Sequence, residues 1–464
     1  MMDNVQTNYH ALQKEPYWLE TVAERSDFPQ LVTDKVCDIA IIGGGFTGLW
    51  AALKAREAFP DSSIVVLEAD HCGRGASGRN GGFCAPSISH GVSNAVTRWP
   101  NEAETLVRLG RHNLDELAAD LDAYGIDAEF EREGKLNVAE TPWQKEGLKA
   151  MLATYKRFGI DAYYLEGEDL DTRFNSPKYI AGLFEQNYAL VNPIKLIDGL
   201  CRECLKRGVD IHESTSVTRL LEEKEGLRLI TSKGSVQAKK VMMATNASIP
   251  ILKRLRASIV PIFDYTLMTN PLTEDQLKAI GWEGRYGIAD SGNQFHYFRK
   301  TSNNRILWGG YDAIYHYGSR RDKALHYRPE SFSRLESNFN EAFPALSGVG
   351  FSHAWGGIID TSARTTFFTG TAYSGRLAYA MGFTGQGVSA SRFAALTMLD
   401  LLSGEATERT QLRMPSSWAV PFPPEPFRYM AIRKAQADLA HEDKTGRRSL
   451  LLRSLDYFGI GFDS

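Results

Sequence analysis

Cysteine is scarce in this sequence, which has five cysteines among 464 residues. So small and odd a number does not make the disulfide framework of small secreted proteins, and we expect a reducing compartment. Cys201 and Cys204 form a CxxC motif, but they lie in a helix-like run with no second pair and no histidine pair nearby. Two packed thiols are therefore a better interpretation than redox or zinc chemistry.

An excess of basic charge is also missing, because the formal net charge is −3 and the pI is about 6.4. Binding to nucleic acid needs a field of positive charge that neutralises phosphates, and this composition does not supply one. The ten histidines show no metal-ligand spacing such as HxxxH, and no catalytic triad is visible. We therefore predict neither a nucleic-acid partner nor a metal site.

The sequence has no uninterrupted apolar stretch of membrane-spanning length. The N-terminal run MMDNVQTNYHALQKEPYW is polar and carries acids, unlike a secretory signal. The run CDIAIIGGGFTGLWAAL approaches the length of a span, but a glycine cluster interrupts it where a strand would turn into a helix. A nucleotide-binding unit explains this run better, and we expect a cytoplasmic protein without a membrane span.

What the sequence does contain is a glycine turn in a strand–helix–strand context. A short apolar strand at 37–42 leads into GGGFTG at 43–48, which fits GxGxxG, and a helix-like run follows at 47–58. A second strand at 63–67 ends at Glu68, about 20 residues past the last glycine. This order is typical of a dinucleotide-binding unit.

Each glycine of the turn has a physical role in such a unit. Gly43 permits the tight turn, Gly45 lets backbone approach a pyrophosphate, and Gly48 lets helix and strand pack closely. The helix N-terminus at Phe46 and Thr47 offers free N–H groups and a positive dipole end to the phosphates. The turn therefore predicts a dinucleotide, but it does not separate NAD from FAD.

The residues around and after Glu68 distinguish the two cofactors. Glu68 can accept hydrogen bonds from both ribose hydroxyls and would repel a 2′-phosphate, which disfavours NADP. An NAD dehydrogenase usually continues into another helix, whereas here the glycine-rich string GRGASGRNGG follows at 73–82. Its backbone N–H groups can wrap a pyrophosphate and a flavin edge, and Arg79 and Asn80 could reach flavin oxygens or substrate. The alternative is a flexible surface loop. The predicted ligands in the loop are Arg74, Gly75, Ala76, Ser77, Arg79, Asn80, Gly81 and Gly82.

The GGGFTG turn, Glu68 and above all GASGRNGG resemble the amino acid and amine oxidases built on the D-amino acid oxidase fold, in particular the gamma-glutamylputrescine oxidoreductases. The resemblance extends over nearly the whole chain. It implies an α/β protein with a Rossmann-like, glutathione-reductase-like FAD-binding domain and an inserted α+β substrate domain dominated by an antiparallel sheet. It also implies FAD, which we expect to be non-covalent because no cysteine can be assigned to a flavin bond.

Three later segments are expected to return to the nucleotide domain. The resemblance implies that Val217 lies at the adenine, that Thr245 and Asn246 pass the dinucleotide, and that a third glycine turn opens a helix at the flavin pyrimidine edge. That helix dipole would stabilise negative charge on reduction. Gln386 stands where many relatives carry His, so a proton-donating His is absent at that point. The residues predicted in this turn are Gly382, Phe383, Thr384, Gly385, Gln386, Gly387 and Val388.

The predicted domains are discontinuous along the chain. Residues 1–36 form an N-terminal arm, and residues 405–464 form a tail with an amphipathic helix. The FAD-binding domain comprises 37–100, 193–254 and 351–404, and the substrate domain comprises 101–192 and 255–350.

The run FHYFRKTSNNRILWGG predicts a β-hairpin in the substrate domain. Tyr297 and Trp308 on this hairpin, with Trp355 in AWGG, are candidate walls of the substrate pocket, although aromatic packing within a sheet explains each of them as well. Arg79 and Gln386 complete the set of predicted catalytic residues.

Two departures from the resembling family bear on the substrate and on oxygen. Glycine and D-amino acid oxidases carry a carboxylate-clamping arginine just after Trp-x-Gly, where this chain has Ile358 and Ile359. Loss of that guanidinium favours an amine, or an amino compound with a remote acid group, over a plain α-amino acid. Arg364 fits the polyamine-type relatives. Sarcosine oxidase relatives place a lysine over the flavin near the position of Trp308, so oxidase and dehydrogenase behaviour both stay open.

The resemblance implies oxidation of a C–N bond in a primary or secondary amine by hydride transfer to flavin N5. The product is an imine, which then hydrolyses. The flavin is reoxidised by O2, which gives H2O2, or by another acceptor. One alternative is a D-amino acid, sarcosine or glycine oxidase, in which Arg79 or Arg299 would bind the carboxylate. Another is a flavoprotein subunit that passes electrons to a protein partner. The sequence does not identify the amine substrate and does not decide whether the protein forms a homo-oligomer.

Overall fold

The structure is a computed structural model that describes residues 7–461. Residues 1–6 of the predicted arm and 462–464 of the predicted tail lie outside the described residues. Among the described residues, no helix combines the length and the apolar character that a membrane crossing requires.

The described chain contains nineteen strands. In chain order they are β1 (Lys35–Ile42), β2 (Ile64–Leu67), β3 (Phe83–Cys84), β4 (Lys135–Ala139), β5 (Ala162–Glu166), β6 (Ala181–Glu185), β7 (Ala189–Leu190), β8 (Asp210–His212), β9 (Arg219–Glu223), β10 (Gly226–Ile230), β11 (Ser235–Met243), β12 (Ile259–Thr269), β13 (Gly287–Asp290), β14 (His296–Lys300), β15 (Ile306–Gly310), β16 (Ile314–Tyr315), β17 (Phe351–Ser362), β18 (Phe368–Ala372) and β19 (Leu377–Met381).

Thirteen α-helices accompany these strands in the described residues. They are α1 (Phe46–Ala58), α2 (Val92–Arg98), α3 (Ala103–Tyr124), α4 (Pro142–Arg157), α5 (Glu168–Asp171), α6 (Pro193–Lys206), α7 (Glu274–Ile280), α8 (Pro329–Ala342), α9 (Gly387–Ser403), α10 (Glu408–Gln411), α11 (Arg413–Ser416), α12 (Phe427–Thr445) and α13 (Leu450–Tyr457). Short 3-10 turns lie at Tyr9–Ala11, Tyr17–Thr21, Ala76–Gly78, Lys253–Leu255, Lys323–His326 and Pro344–Leu346.

An eight-stranded sheet carries the predicted nucleotide unit. Its main order is β18-β19-β11-β1-β2-β8, and β10 and β9 extend from β11 as an antiparallel hairpin. The strands β19, β11, β1, β2 and β8 run parallel, so their carboxyl ends meet at one edge of the sheet. Helix α1 packs against α9 and α6, with Leu49, Trp50 and Leu53 fully buried in the core. The strand–turn–helix–strand order predicted from the sequence is confirmed.

A nine-stranded sheet forms the second half of the molecule. Its order is β16-β12-β15-β14-β13-β4-β6-β5, and β17 pairs with β12. Strands β4 and β13 run parallel, whereas the other neighbouring pairs described here are antiparallel. The predicted hairpin is present as β14 and β15.

Strand β17 belongs to the nine-stranded sheet. The division at residue 351 placed this strand in the FAD-binding domain, but the strand pairs with β12 over almost its whole length, from Ile259↔Ser362 to Thr269↔Phe351. The chain returns to the eight-stranded sheet only at β18. Because β17 is largely buried along its whole length, its sequence fits a buried strand in either sheet and does not specify the partner.

The C-terminal helices dock on the side of the nine-stranded sheet. The carboxylate of Asp443 on α12 accepts hydrogen bonds from Asn293 N at 2.7 Å, from Asn293 Nδ2 at 2.8 Å and from Gln294 N at 2.9 Å. Helix α12 spans 19 residues, which is longer than the four turns expected, and α13 follows it.

Candidate active site

The first glycine turn lies at the carboxyl edge of the parallel strands. Gly43 follows β1 with φ of +112°, and a Cβ there would overlap the Ala244 carbonyl oxygen. A Cβ on Gly48 would overlap the carbonyl oxygen of Gly43, so only glycine allows α1 to pack this closely. Gly45 is the N-cap of α1 and supplies no side-chain cap, which leaves N–H groups available at the start of this helix.

Glu68 lies at the end of β2 beside this turn. Its carboxylate accepts a hydrogen bond from Gly44 N at 2.7 Å and another from Asp70 N at 2.8 Å. Burial raises the pKa of the Glu68 carboxyl, and these two backbone donors oppose the shift. The side chain is thereby fixed at the position where a dinucleotide unit holds its ribose.

The loop at 73–82 packs directly onto the first glycine turn. Ser77 Oγ accepts a hydrogen bond from Phe46 N at 3.0 Å, and a Cβ on Gly45 would come within 2.8 Å of the same oxygen. Two segments that are about thirty residues apart in the sequence therefore form one continuous glycine-rich surface.

Two buried tryptophans fix the backbone of this loop. Trp355 Nε1 donates to the Arg79 carbonyl at 3.0 Å, and Trp18 Nε1 donates to the Asn80 carbonyl at 2.9 Å. Both indoles are buried in the protein core. Trp355 was predicted as a wall of the substrate pocket, and in the structure its buried ring packs beneath the loop and holds it.

The side chains of Arg79 and Asn80 are used within the protein. Arg79 donates to the carbonyl of Arg74 at 3.0 Å and to that of Gly356 at 3.1 Å, and it forms an ion pair with Glu15 at 3.4 Å. Asn80 donates to the Ala76 and Ser77 carbonyls and accepts from Gly82 N. These bonds shape the loop, so in this structure neither side chain is free for the predicted contact with flavin or substrate.

The carboxyl of Asp360 connects the third glycine turn, which follows β19, to the turn that follows β11. Asp360 Oδ2 accepts a hydrogen bond from Gly382 N at 2.6 Å, and the Asn246 side chain also bonds to this carboxyl. Burial raises the pKa of the Asp360 carboxyl to about 7. The residues from β11 and from β19 thus meet at one buried carboxyl group, which the sequence analysis missed.

The residues at this edge fit an FAD molecule. The hydroxyl of Thr245 is buried without a hydrogen-bond partner among the described residues, although buried hydroxyls are normally paired. It lies beside Gly43, since a Cβ on that glycine would stand 3.8 Å from Thr245 N. A ligand with ribose and phosphate oxygens would satisfy this hydroxyl and the free N–H groups of α1. The buried Val217 lies beyond β8 in the adjoining core cluster.

Tyr297 lies over the loop and bonds to a buried acid. Its hydroxyl donates to Asp264 Oδ2 at 2.6 Å, and a Cβ on Gly81 would come within 2.9 Å of the Tyr297 ring. Burial raises the pKa of the Asp264 carboxyl to about 6, and burial together with Asp264 raises the pKa of Tyr297. The face of the sheet that meets the glycine loop therefore carries a hydrogen-bonded Tyr–Asp pair.

Trp308, which was predicted as a pocket wall, packs in the core of the nine-stranded sheet. Trp308 is 0% exposed and stacks on His296, with ring centroids 4.5 Å apart. It pairs across the hairpin with Phe298, whereas Tyr297 pairs with Gly309. Side chains of directly paired residues share a face, so Trp308 points into the core under α8 and away from the loop.

A cavity of about 440 Å³ opens between the two halves of the molecule. Gln386 lines it from the start of α9, Ala85 lines it from the segment after the loop, and Phe295 lines it from the start of β14. The polar part of its wall contains Lys135 and Glu185. Of the predicted catalytic residues, Gln386 lines this cavity.

The sequence analysis missed four charged residues of the site: Asp264, Asp360, Lys135 and Glu185. The two aspartates have a sequence signal, because each is a lone acid in an otherwise apolar strand, IVPIFDYTLMT and IIDTS. An unpaired charge in a buried strand indicates a special partner. Glu185 has the same signal, since it is the only charged residue of the buried strand AGLFE, whereas Lys135 follows the charged run EREG and has none.

The family model for DAO, FAD dependent oxidoreductase, matches residues 38–401. The chain belongs to this family. The predicted family and the predicted FAD cofactor are confirmed, and this protein is an FAD-dependent oxidoreductase.

Curated relatives of this DAO-family protein cover most of the chain. Gamma-glutamylputrescine oxidoreductase of Escherichia coli (strain K12) is 28% identical over 400 residues, which is 84% of this chain and 89% of the relative. The probable oxidoreductase OrdL of Rhizobium meliloti (strain 1021) is 29% identical over 419 residues, which is 86% of this chain and 91% of the relative.

Solved structures show the same fold. Glycine oxidase from Geobacillus kaustophilus superposes with a TM-score of 0.68 at 19% identity and covers 81% of this chain and 96% of its own. NikD, an amino acid oxidase of nikkomycin biosynthesis, superposes with a TM-score of 0.67 at 16% identity and covers 83% of this chain and 98% of its own. These likenesses confirm the DAO-type fold.

Proposed function

We propose that this protein oxidises the C–N bond of a primary or secondary amine and that its substrate carries any acid group remote from the reacting carbon. The proposal rests on the arginines that could bind an α-carboxylate, because their guanidinium groups already bond to groups of the protein. Arg299 is 1% exposed, and its guanidinium donates to the Val191 carbonyl at 2.7 Å. Arg79 is held by carbonyl oxygens and by Glu15.

The segment after Trp355 also lacks a carboxylate clamp. Ile358 and Ile359 pack partly against neighbouring apolar clusters. Arg364 is buried and donates to the carbonyls of Ser417 and Phe367. A bidentate guanidinium is the usual means of binding a carboxylate, so its absence from these positions disfavours glycine, sarcosine and D-amino acids as substrates.

One of the named relatives supports the same substrate class, and the sarcosine oxidase relatives carry the name of the rival class. The family includes a protein named gamma-glutamylputrescine oxidoreductase at 28% identity, and proteins named sarcosine oxidase subunit beta match at 21–24% identity. An amine with a distant acidic group agrees with the first name and with the arginine contacts of this structure.

The reaction balances as a two-electron oxidation. The amine loses a hydride from its α-carbon and a proton from nitrogen, and the resulting imine takes up water and releases ammonia or a smaller amine. When bound, FAD supplies the acceptor for this hydride. We propose that O2 then takes two electrons and two protons to give H2O2.

The chain's own residues would position the reactants and stabilise charge. The start of α9 has no side-chain cap, so its N–H groups and dipole stabilise negative charge that develops nearby. Gln386 can donate and accept hydrogen bonds in the cavity but cannot take up a proton at neutral pH. Tyr297, fixed by Asp264, holds the glycine loop at Gly81 and so sets the shape of the site beside it.

The test is anaerobic reduction of the purified yellow protein. We would record the flavin absorbance with gamma-glutamylputrescine, putrescine, sarcosine, D-alanine and glycine in turn, and then admit air and measure peroxide. We expect bleaching by the amines and peroxide on reoxidation. Bleaching by glycine, sarcosine or D-alanine alone would contradict the proposal and favour an α-amino acid oxidase. Reduction without reoxidation in air would retain the amine substrate and indicate another electron acceptor, such as a protein partner.

A further inference from the structure

One wall of the cavity presents two opposite charges side by side. Lys135 on β4 pairs with Glu185 on β6 in antiparallel register, and its other neighbour in the sheet is Gly287 on β13. Both charged residues line the cavity. Phe83, directly after the glycine loop, packs against Gly287, so this wall adjoins the loop.

Lys135 forms no ion pair with its cross-strand neighbour Glu185. Among the described residues its ammonium makes no hydrogen bond and no ion pair within 4 Å, and it lies over the Tyr188 ring in a cation–π contact, with Nζ 5.5 Å from the ring centroid. Burial lowers the pKa of the Lys135 ammonium, and Glu185 only partly opposes this shift. A purely structural lysine in this position would be expected to close an ion pair with its cross-strand neighbour.

Glu185 is buried and only partly satisfied. It is 7% exposed, and it accepts one side-chain hydrogen bond, from the Tyr155 hydroxyl at 3.2 Å. Burial raises the pKa of the Glu185 carboxyl. A carboxylate can accept about four hydrogen bonds, so the bond from Tyr155 leaves acceptor capacity on Glu185 for a ligand.

We propose that Lys135 and Glu185 form a subsite for the zwitterionic α-amino acid group at the far end of an extended amine substrate. Lys135 binds the carboxylate of that group, and Glu185 together with Tyr155 binds its ammonium. This assignment rests on the proposed function, because the other end of the same molecule carries the amine that is oxidised.

The charge arrangement favours a zwitterion over a ligand of one sign. A simple anion would contact Lys135 and be repelled by Glu185, and a simple diamine would meet the reverse. A group with both charges neutralises both residues at once, and each new bond forms where water is largely excluded. The cavity extends from this wall to Gln386, so a substrate bound at the wall can reach the start of α9.

The test is calorimetric binding to the FAD-loaded protein, with no turnover required. The probe is gamma-glutamylbutylamide, which lacks the terminal amine. Two matched probes lack one charge each: 4-aminobutanoyl-butylamide has no carboxylate, and glutaric acid monobutylamide has no ammonium. We expect each charge deletion to weaken binding to the wild-type protein about 10- to 100-fold, which is the range for hydrogen bonds to charged groups.

Variants assign each charge to its residue. Lys135→Met should weaken the full probe about 10- to 100-fold and leave the probe without carboxylate unchanged, whereas Lys135→Arg should retain most of the affinity. Glu185→Gln should weaken the full probe by a similar factor and leave the probe without ammonium unchanged. Lys149→Met is the matched control, because Lys149 is an exposed lysine on α4 that pairs with Glu146 at 2.8 Å.

The outcomes separate this inference from the proposed function. Equal affinity of the wild-type protein for all three probes, or no binding of any probe, would overturn the subsite even if amines reduce the flavin. Binding with the expected charge dependence, in a protein that no amine reduces, would retain the subsite and overturn the proposed function. The comparison of probes on the wild-type protein decides the question even if the Lys135→Met chain fails to fold.

Discussion

The ionisation of Asp360, which joins two strand ends, should make the stability of the folded protein depend on pH. Burial raises the pKa of this carboxyl to about 7, well above the usual range for aspartate. Between about pH 4 and pH 7 the folded chain keeps a proton that the unfolded chain has lost, so the contribution to stability is full at low pH and is lost as pH rises through 7. We expect Asp360→Asn to remove this dependence, with a change on the order of 2–4 kcal/mol across that range.

The measurement for Asp360 is the melting temperature of both proteins with saturating FAD at pH 5 and at pH 8. The melting temperature of the Asp360→Asn variant, relative to that of the wild-type protein, should be several degrees higher at pH 8 than at pH 5. A constant difference at both pH values would contradict the assignment of a raised pKa to this carboxyl.

The Tyr297–Asp264 pair gives a second residue-scale prediction. Tyr297→Phe removes the side-chain donor of a buried carboxylate, so the free energy of unfolding should fall by about 1–3 kcal/mol. Chemical denaturation of the FAD-loaded protein measures it. Tyr317→Phe is the control, because Tyr317 is 55% exposed and should change little. Equal effects of the two substitutions would show that the buried bond contributes nothing.

At the residue scale, sequence alternation gave the two faces of the hairpin but not which face meets the cofactor half. Tyr297 and Trp308 were both predicted as pocket walls, yet the cross-strand pairing places them on opposite faces. Both are large aromatic residues in a buried hairpin, so composition could not separate them. The pairing register, which depends on the turn at Ser302-Asn303-Asn304, decides it.

At the scale of elements, the contact between β1 and α1 depends on Gly48. A Cβ there would overlap the Gly43 carbonyl oxygen, so Gly48→Ala must push the helix away from the turn. We expect a loss of at least about 1–3 kcal/mol in stability and weaker FAD binding, measured by denaturation and by titration of the apoprotein with FAD. Gly147→Ala on α4 is the control, since no atom lies within 4 Å of its added Cβ. A normal FAD affinity in the Gly48 variant would contradict the close packing.

The docking of the C-terminal helices depends on Asp443. Asp443→Ala removes the acceptor for three hydrogen bonds from Asn293 and Gln294, so amide exchange in α12 and α13 should speed up by about tenfold or more. Hydrogen-exchange mass spectrometry measures it. Lys444→Ala, at the exposed neighbouring position, should leave the exchange rates unchanged. Unchanged rates in the Asp443 variant would show that other contacts hold the tail.

Elements of the cofactor half could be predicted because their constraints are local. The GGGFTG turn, the helix after it and Glu68 are set by residues close together in the sequence, and α1 begins within one residue of its predicted start. The nine-stranded sheet depends on pairings between distant segments, such as β12 with β17, which no local pattern specifies. The sequence pattern of β17 therefore did not indicate its pairing with β12.

For the whole molecule, all five cysteines are free and buried. Burial raises the pKa of the Cys84 thiol to about 12, and Cys201 and Cys204 pack in the core on α6. We expect fewer than one thiol per chain to react with Ellman's reagent in the native protein, and all five after denaturation. Acid precipitation should leave a colourless pellet and release the FAD, because we propose a non-covalent cofactor. A yellow pellet would contradict that proposal.

The cavity is a property of the whole molecule, and the sequence did not predict its polar wall. Lys135, Tyr155 and Glu185 come from β4, α4 and β6, and the fold brings them opposite Gln386 at the start of α9. No motif links these positions, because each lies in a separate element whose own pattern serves packing. The cofactor side, in contrast, was predicted from its glycine segments.

We propose that this DAO-family protein oxidises an amine whose acid group is remote from the reacting carbon. The most direct measurement is the second-order rate constant of anaerobic flavin reduction in a rapid-mixing experiment, with gamma-glutamylputrescine compared with glycine and D-alanine. We expect a constant for gamma-glutamylputrescine that is at least about 100-fold larger, because an α-carboxylate has no charged partner in the site. Equal constants, or faster reduction by either α-amino acid, would contradict it.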